Sequence, residues 1–300
     1  MSDFDVLLIT EDRYESPQHI DGYIANILQD DAILTAAFEE VGLRTKRVSW
    51  SNPEIDWSAS RCGLFRTTWD YFLRFNQFKN WMEQTAQKVI FINPIKVIRW
   101  NMDKHYLADL KATGIRVVDT TFIEQNTSCD LVALLQASDA DSGIVKPAVS
   151  GTARHTYVVD NSSLESVQPI VNDLLKSEAL LFQPFQKDIL LNGELSLIII
   201  DGKCTHAVRK TAKQGDFRVQ DDFGGTVHDH IPTPEEIQFA ESAVAACPEK
   251  PLYARVDIVR NNAGDLAIME LELIEPELWF RKNPAAAKPL AAAIKNIYFS

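Results

Sequence analysis

Two stretches of alternating residues near the C-terminal end carry the densest chemistry in the chain. Tyr253-Ala-Arg-Val-Asp-Ile-Val-Arg260 and Leu266-Ala-Ile-Met-Glu-Leu-Glu-Leu-Ile-Glu-Pro276 flank an Asn/Gly turn, the pattern of a two-stranded hairpin. Side chains alternate faces along a strand, so Arg255 shares a face with Asp257, and Glu270 shares one with Glu272. Three carboxylates on one face of an otherwise apolar hairpin repel one another unless a cation sits among them. Their oxygens suit Mg2+, which keeps positions open for water and phosphate at about 2.0–2.1 Å. Asp257, Glu270 and Glu272 are therefore candidate metal ligands. The alternative is a solvated sheet face on which Arg255 is a local salt-bridge partner.

A metal ion held by acids implies a phosphate ligand. Neither GxxxxGK[ST] nor GxGxxG occurs, which removes the two commonest glycine-rich phosphate loops. Ile144-Val-Lys146-Pro-Ala-Val-Ser150-Gly151-Thr152 instead places a lysine at a strand end, before a loop of small residues. The backbone N–H groups of such a loop can close over an anion. Lys104, near the start of an expected helix, is a second cation, or else a solvated surface lysine. Leu180-Leu-Phe-Gln183-Pro-Phe185 ends a strand between two blocks and can offer backbone groups to a purine edge. Glu194, just beyond Gly193, can accept from two ribose hydroxyls.

Periodicity supplies the elements that must position these residues. Short apolar runs at 5–10, 63–66 and 89–92 read as buried strands, and 30–41 as a helix stopped by Gly42. Trp69, Phe72, Phe75, Phe78, Trp81 and Met82 form one helical stripe over 68–86. Strands alternating with helices indicate a parallel α/β lobe over 1–97, with its boundary near Asn93-Pro94. The second block, 98–185, is expected to hold helices at 103–113, 129–137 and from 162 or 163 to 176. Its strands are expected at 115–119, 142–146 and 156–160. The third, 186–300, has longer strands at 194–201, 204–210, 252–260 and 266–274. A helix over 233–247 interrupts it, with Thr233 as N-cap, Pro234 at N1 and Glu236 at N3. An alanine-rich helix over 284–298 closes the chain. The fold class is thus α/β and α+β, one parallel lobe followed by two mixed lobes.

Composition limits the function. With 300 residues, 46% of them hydrophobic and 24% charged, the chain is globular rather than disordered. Forty-two acidic against 30 basic residues give a formal charge of -12, and no Lys/Arg run exceeds two residues, as at Arg209-Lys210. That excludes nucleic acid as a main partner. Apolar runs such as 197–200 fall far short of the ~20 residues that span a bilayer. The N-terminus lacks a basic signal region, so a cytoplasmic protein with no membrane partner is expected. Cys62, Cys129, Cys204 and Cys247 are far apart and read as reduced packing thiols. His228-Asp229-His230 is expected in a solvated polar loop. No Ser-His-Asp or Cys-His arrangement calls for a nucleophilic side chain.

The order of the pieces, from Lys104 and Lys146 through Gln183–Phe185, Gly193-Glu194, Arg209 and Arg218 before Gly224-Gly225, to Asp257 and Glu270-x-Glu272, resembles the ATP-grasp superfamily over about 100–280. It is most similar to the glutathione-synthetase and RimK-like branch. Arg66-Thr-Thr-Trp-Asp-Tyr71 and Leu273-Ile-Glu-Pro276 look like the small ligases that include the O-ureido-serine cyclo-ligases forming D-cycloserine. The resemblance implies an ATP-grasp fold: a first lobe before two lobes that clamp ATP. It implies Lys104 and Lys146 on the phosphates, under a cover of Ser150, Gly151 and Thr152. Gln183 and the Phe185 backbone would meet adenine, Glu194 the ribose, and Asp257, Glu270 and Glu272 would hold Mg2+ or Mn2+. Two positions depart from the pattern: Glu272 where many relatives carry Asn, and Gln183 where many carry Glu.

The implied reaction makes an acyl phosphate from a carboxylate of a small amino-acid-like substrate, and a nitrogen then displaces phosphate. Lys146 and Arg209 would offset the repulsion between the two anions, and Arg255 would meet the substrate carboxylate. Arg218 is a phosphate candidate. Arg66, Thr67 and Asp70 follow a first-lobe strand whose end should face the cleft, where they would read a carboxylate and an amine. Trp69 is expected in the core. A kinase acting on a hydroxyl, or a nucleotide binder without turnover, remain as alternatives, and related ligases assemble as homodimers or homotetramers.

Overall fold

The structure, a computed structural model, describes residues 4–213 and 224–300. Its first sheet is wholly parallel, in the order β2-β1-β3-β4, from β1 (Val6–Thr10), β2 (Thr45–Ser49), β3 (Cys62–Thr67) and β4 (Ile90–Ile92). Strands β1 and β3 are buried along their whole length, as expected of a sheet covered on both faces. The helix Gly22–Glu40 starts eight residues before the expected one, capped by Asp21, which accepts from the Ile24 N–H at 2.8 Å. The aromatic stripe is helical only over Phe75–Thr85, where Phe78 and Met82 pack among Trp50, Trp57 and Phe65. Residues 69–74 form turns instead of helix. Their side chains are claimed elsewhere: Trp69 donates to the Glu275 carbonyl at 2.9 Å, and Asp70 accepts from Trp50 at 2.8 Å.

Two antiparallel sheets follow. The smaller runs β5-β8-β6-β7, from β5 (Thr121–Ile123), β6 (Ser142–Pro147), β7 (Tyr157–Asp160) and β8 (Leu180–Pro184). The larger runs β11-β10-β9-β12-β13, from β9 (Glu194–Ile200), β10 (Lys203–Thr211), β11 (Thr226–His230), β12 (Tyr253–Arg260) and β13 (Leu266–Glu272).

Several expected elements differ. Residues 115–119 make a single bridge, Val117 beside Ile268, and the strand comes later, at Thr121–Ile123. Lys104 sits in a turn between the helices Ile95–Asn101 and Tyr106–Ala112 rather than on a helix. His228–His230 lie on β11 rather than in a polar loop, because they complete the ladder of β10. His230 also meets Glu236 at 2.9 Å, beside the capping box of the helix Pro234–Ala245.

Buried amides hold the first sheet against the hairpin β12–β13. The Asn93 side chain donates to the carbonyls of Tyr253 (2.9 Å) and Leu273 (2.8 Å) and accepts from the Leu252 N–H (2.6 Å). Asn101 bonds Leu271 O at 2.6 Å and Leu273 N at 2.8 Å, and Tyr106 Oη accepts from Leu271 N at 2.9 Å. A buried amide left without these partners would cost its full desolvation, so the links fix hairpin position as well as satisfying Asn93 and Asn101. The closing helix, Ala287–Tyr298, expected with the third block, packs Ala287, Leu290, Ala291 and Ile294 against Leu34, Ala37 and Phe38 of the first. All four cysteines are free thiols. Among the described residues no helix is long and apolar enough to cross a membrane.

Candidate active site

Strand pairing builds one polar face on the larger sheet. Across β12 and β13, Asp257 stands opposite Glu270 and Arg255 opposite Glu272; across β9, Ser196 stands opposite Asp257, and Lys210 of β10 opposite Glu194. Directly opposed residues share a face, so these side chains converge. A bulge makes this possible on β13. Ile258 pairs with Ile268, whereas Asp257 pairs with Glu270, so Met269 is the extra residue. Strict alternation would place Ile268 on the face of Glu270 and Glu272. The bulge instead leaves Ile268 in the core and turns Met269, Glu270 and Glu272 into a common cavity.

The smaller sheet supplies the opposite wall. Ile144 and Lys146 of β6, Gln183 and Pro184 of β8, and Phe185 line the same cavity, with Lys104, Ser150, Gly151 and Thr152. Lys104 donates to Ser150 O at 2.5 Å and pairs with Glu270 at 3.0 Å. The loop after β6 lies close to the first lobe: a Cβ on Gly151 would stand 2.7 Å from the Phe72 ring, a distance only glycine tolerates. Gln183 is occupied, donating to Thr120 at 3.0 Å.

The charges are strongly coupled. Burial works against the Asp257 carboxylate, but Arg255 and Lys210 outweigh it and hold its pKa well below the usual range, helped by the Ser196 hydroxyl at 2.6 Å. Burial likewise opposes Glu270, where Lys104 and Lys146 prevail and lower it. Glu272 goes the other way: burial pushes it up to about 7 despite its pairing with Arg255, with Glu270 and Asp257 adding to the rise. Lys146 makes no ion pair among the described residues, and burial lowers its pKa against the pull of Glu270. Lys210 stays charged, since Asp257 and Glu194 overcome the effect of burial.

Asp257, Glu270 and Glu272 thus face one another, yet each is engaged by Arg255, Lys104 or Lys210. Among the described residues no three His, Cys, Asp or Glu side chains gather as a metal-holding group. As a donor set, one buried and two half-buried carboxylates still suit a hard cation better than any thiol or imidazole set would.

Other expectations are corrected. Arg209 does not line the cavity; alternation turns it away, to Asn192 O at 2.5 Å and His230 at 3.3 Å, and Lys210 stands in its place. Arg66 is buried against Asp31 at 2.8 Å, and Thr67 bonds Thr10, so neither reaches the cavity. Asp70 lies in a neighbouring groove with Arg74 and Arg154. Trp69, expected in the core, lines the cavity, as do Glu275, which lies in the Leu273–Pro276 motif but was given no role, and Tyr23, Trp279 and Glu277, which no motif singled out. Arg218 lies outside the described residues.

Several known proteins resemble this chain. Residues 6–93 match the model described as D-cycloserine synthetase DcsG, N-terminal domain. Over 265 residues the chain is 29% identical to the cycloserine biosynthesis protein DcsG of Streptomyces lavendulae, covering 82% of this chain and 86% of that one. The crystal structure of D-cycloserine synthetase DcsG superposes with a TM-score of 0.85 at 26% identity, over 97% of this chain and 99% of the other. The ATP-grasp ligase PsnB, complexed with precursor peptide PsnA2 and AMPPNP, shares the fold at a TM-score of 0.62 and 14% identity, covering 99% and 98%. The chain has the ATP-grasp fold and is an ATP-dependent ligase. In this ligase the cavity lies between the two antiparallel sheets, with the parallel lobe contributing Tyr23, Trp69 and Phe72 to its lining.

Proposed function

We propose that the ligase uses ATP and Mg2+ to convert a carboxylate of a small amino-acid-like molecule into an acyl phosphate, which a nitrogen then attacks to form a C–N bond. ADP and phosphate are the other products. The observation that carries this is the convergence of Lys104, Lys146, Asp257, Glu270 and Glu272 on one cavity. Similarity to DcsG favours a substrate whose carboxylate and nitrogen belong to one molecule, of the O-ureido-serine type, so that the bond closes a ring.

Lys146 carries the part of the charge balance that the protein has not already neutralised. With no carboxylate bound to it, its ammonium is available to phosphate oxygens, and Lys104 reaches the same space from its turn. Asp257, Glu270 and Glu272 would hold the divalent ion, which supplies charge neutralisation on the transferring phosphoryl group. The residues of the chain then hold two anions in reach of each other. The substrate carboxylate oxygen attacks the γ-phosphorus, and the bond to ADP breaks. The nitrogen next attacks the acyl carbon, phosphate leaves, and the nitrogen loses a proton. Gly151 and Thr152, close to Phe72, cover the site and keep water from the acyl phosphate.

Incubation with ATP, Mg2+ and hydroxylamine over a panel of carboxylic acids tests this, O-ureido-D-serine and D-serine among them. A hydroxamate formed together with ADP is expected from at least one acid. A stable phosphorylated hydroxyl product without hydroxamate would make the protein a kinase instead, and no ADP release with any acid would sink the proposal.

A further inference from the structure

Six carboxylates line the cavity, and five of them have a cation. Glu194 and Asp257 share Lys210, Asp257 and Glu272 share Arg255, Glu270 has Lys104, and Glu277 has Arg281. Glu275 is different. Among the described residues it makes no ion pair, and Lys104, whose charge favours its carboxylate, is already paired with Glu270. An acid in a partly closed cleft without a counter-charge costs free energy that a cationic ligand would recover.

Its surroundings suit one kind of cation. The Glu275 carbonyl accepts from Trp69 Nε1 at 2.9 Å, and the Trp69 ring lies 6.0 Å from that of Tyr23; both rings line the cavity with Glu275. Aromatic faces attract a small ammonium ion, and a carboxylate beside them adds a charge-assisted hydrogen bond. The third ring, Trp279, already lies under the Arg255 guanidinium at 5.3 Å. The segment is anchored. Ile274 is buried, its carbonyl accepts from Tyr253 Oη at 2.6 Å, and Pro276 follows. Glu275 is therefore held in place before any ligand arrives.

We propose that Glu275, beside the rings of Trp69 and Tyr23, holds the α-ammonium group of the substrate and so selects carboxylic acids that carry a free amine. This rests on the ligase reading above and assigns the recognition end of the same cavity. The lysines and the acid trio bear on the phosphate chemistry common to any acid, so selection among acids falls to Glu275.

The test compares wild type with Glu275→Gln and Glu275→Asp, using O-ureido-D-serine, D-serine and their N-acetyl counterparts. Binding is followed by calorimetry in the presence of ADP, and turnover by ADP release. Wild type should bind the free amino acids at least about tenfold more tightly than the N-acetyl forms. Glu275→Gln should weaken the free amino acids about tenfold to a hundredfold and leave the N-acetyl forms unchanged. Glu275→Asp should recover part of the loss, and affinity for ADP should stay as in wild type. A merely structural role would weaken both forms equally, and that result overturns the proposal. Amino-acid binding that depends on Glu275 without ADP release would support the ammonium site while sinking the ligase reading. Turnover that ignores the Glu275→Gln change would do the reverse, and an absence of amino-acid binding overturns the ammonium site outright.

Discussion

The C-terminal end of β3 and the hairpin β12–β13 carry the same residue types, an arginine beside aspartate with further acids nearby, and they do opposite things. At β3, Arg66 is buried against Asp31, Asp31 also takes Arg47 at 2.8 Å, and the Arg66 guanidinium lies 5.7 Å from the Phe280 ring. Helix and sheet close over that pair, which joins parts of the fold. At the hairpin, Arg255 binds Asp257 and Glu272 on a face that opens into a cavity. An ion pair is structural when packing surrounds it. It becomes a site when one side is left for a ligand. Replacing residues in the two regions should therefore separate loss of activity from loss of stability.

Lys146→Ala makes the largest difference on the activity side. The lysine has no carboxylate of its own to neutralise, so its removal takes charge from the phosphates and from little else. ADP release measured in the hydroxylamine assay should fall about a hundredfold to a thousandfold, with the thermal midpoint nearly unchanged. Full activity in this variant would remove Lys146 from the phosphates. Arg66→Leu should show the opposite profile. It leaves Asp31 buried beside Arg47 alone and should cost about 3 kcal/mol of stability by urea unfolding. Molecules that remain folded should turn over at near wild-type rate. A stable variant that had lost affinity for the amino acid would return Arg66 to the substrate site.

Much of this contrast was legible in the sequence, and where it was not the reasons are physical. The hairpin was readable because two local rules, alternation and turn chemistry, determine it without long-range information. Lys104 and Lys146 were readable through their order relative to the acids. Alternation failed at Met269, because a bulge needs the register of both strands to be seen. The strand-end rule misled at Arg66: a strand end facing a cleft in principle says nothing about a helix that lies over it, here bringing Asp31. The helix over residues 68–86 was read from a valid apolar period, but the hydrogen bonds of Trp69 and Asp70 override the first turns. Asn93, which looked like part of a lobe boundary, links four backbone groups on the hairpin, and nothing local in Asn-Pro signals that. Glu275 could have been noticed as one more acid after the Glu-x-Glu pair. Its lack of a counter-ion is a property of the folded cavity alone.

The adjacent residues Arg209 and Lys210 give the finest version of the comparison, because one strand turns them to opposite faces. Lys210→Arg keeps the positive charge but replaces a compact ammonium, which meets both Glu194 and Asp257, with a planar fork that does not fit the same buried space. A fall of about tenfold in kcat/KM for ADP release is expected, because the acids it positions line the cavity floor. Arg209→Ala should matter least of all. It removes bonds to the Asn192 carbonyl and His230 on the partly exposed face of β10 away from the cavity, so ADP release should change by less than about twofold and stability by no more than about 1 kcal/mol. A hundredfold loss in Arg209→Ala, with Lys210→Arg unaffected, would mean that β10 presents its other face to the phosphates. The division of the strand into a structural side and a cavity side would then be wrong at the residue where it is drawn most finely.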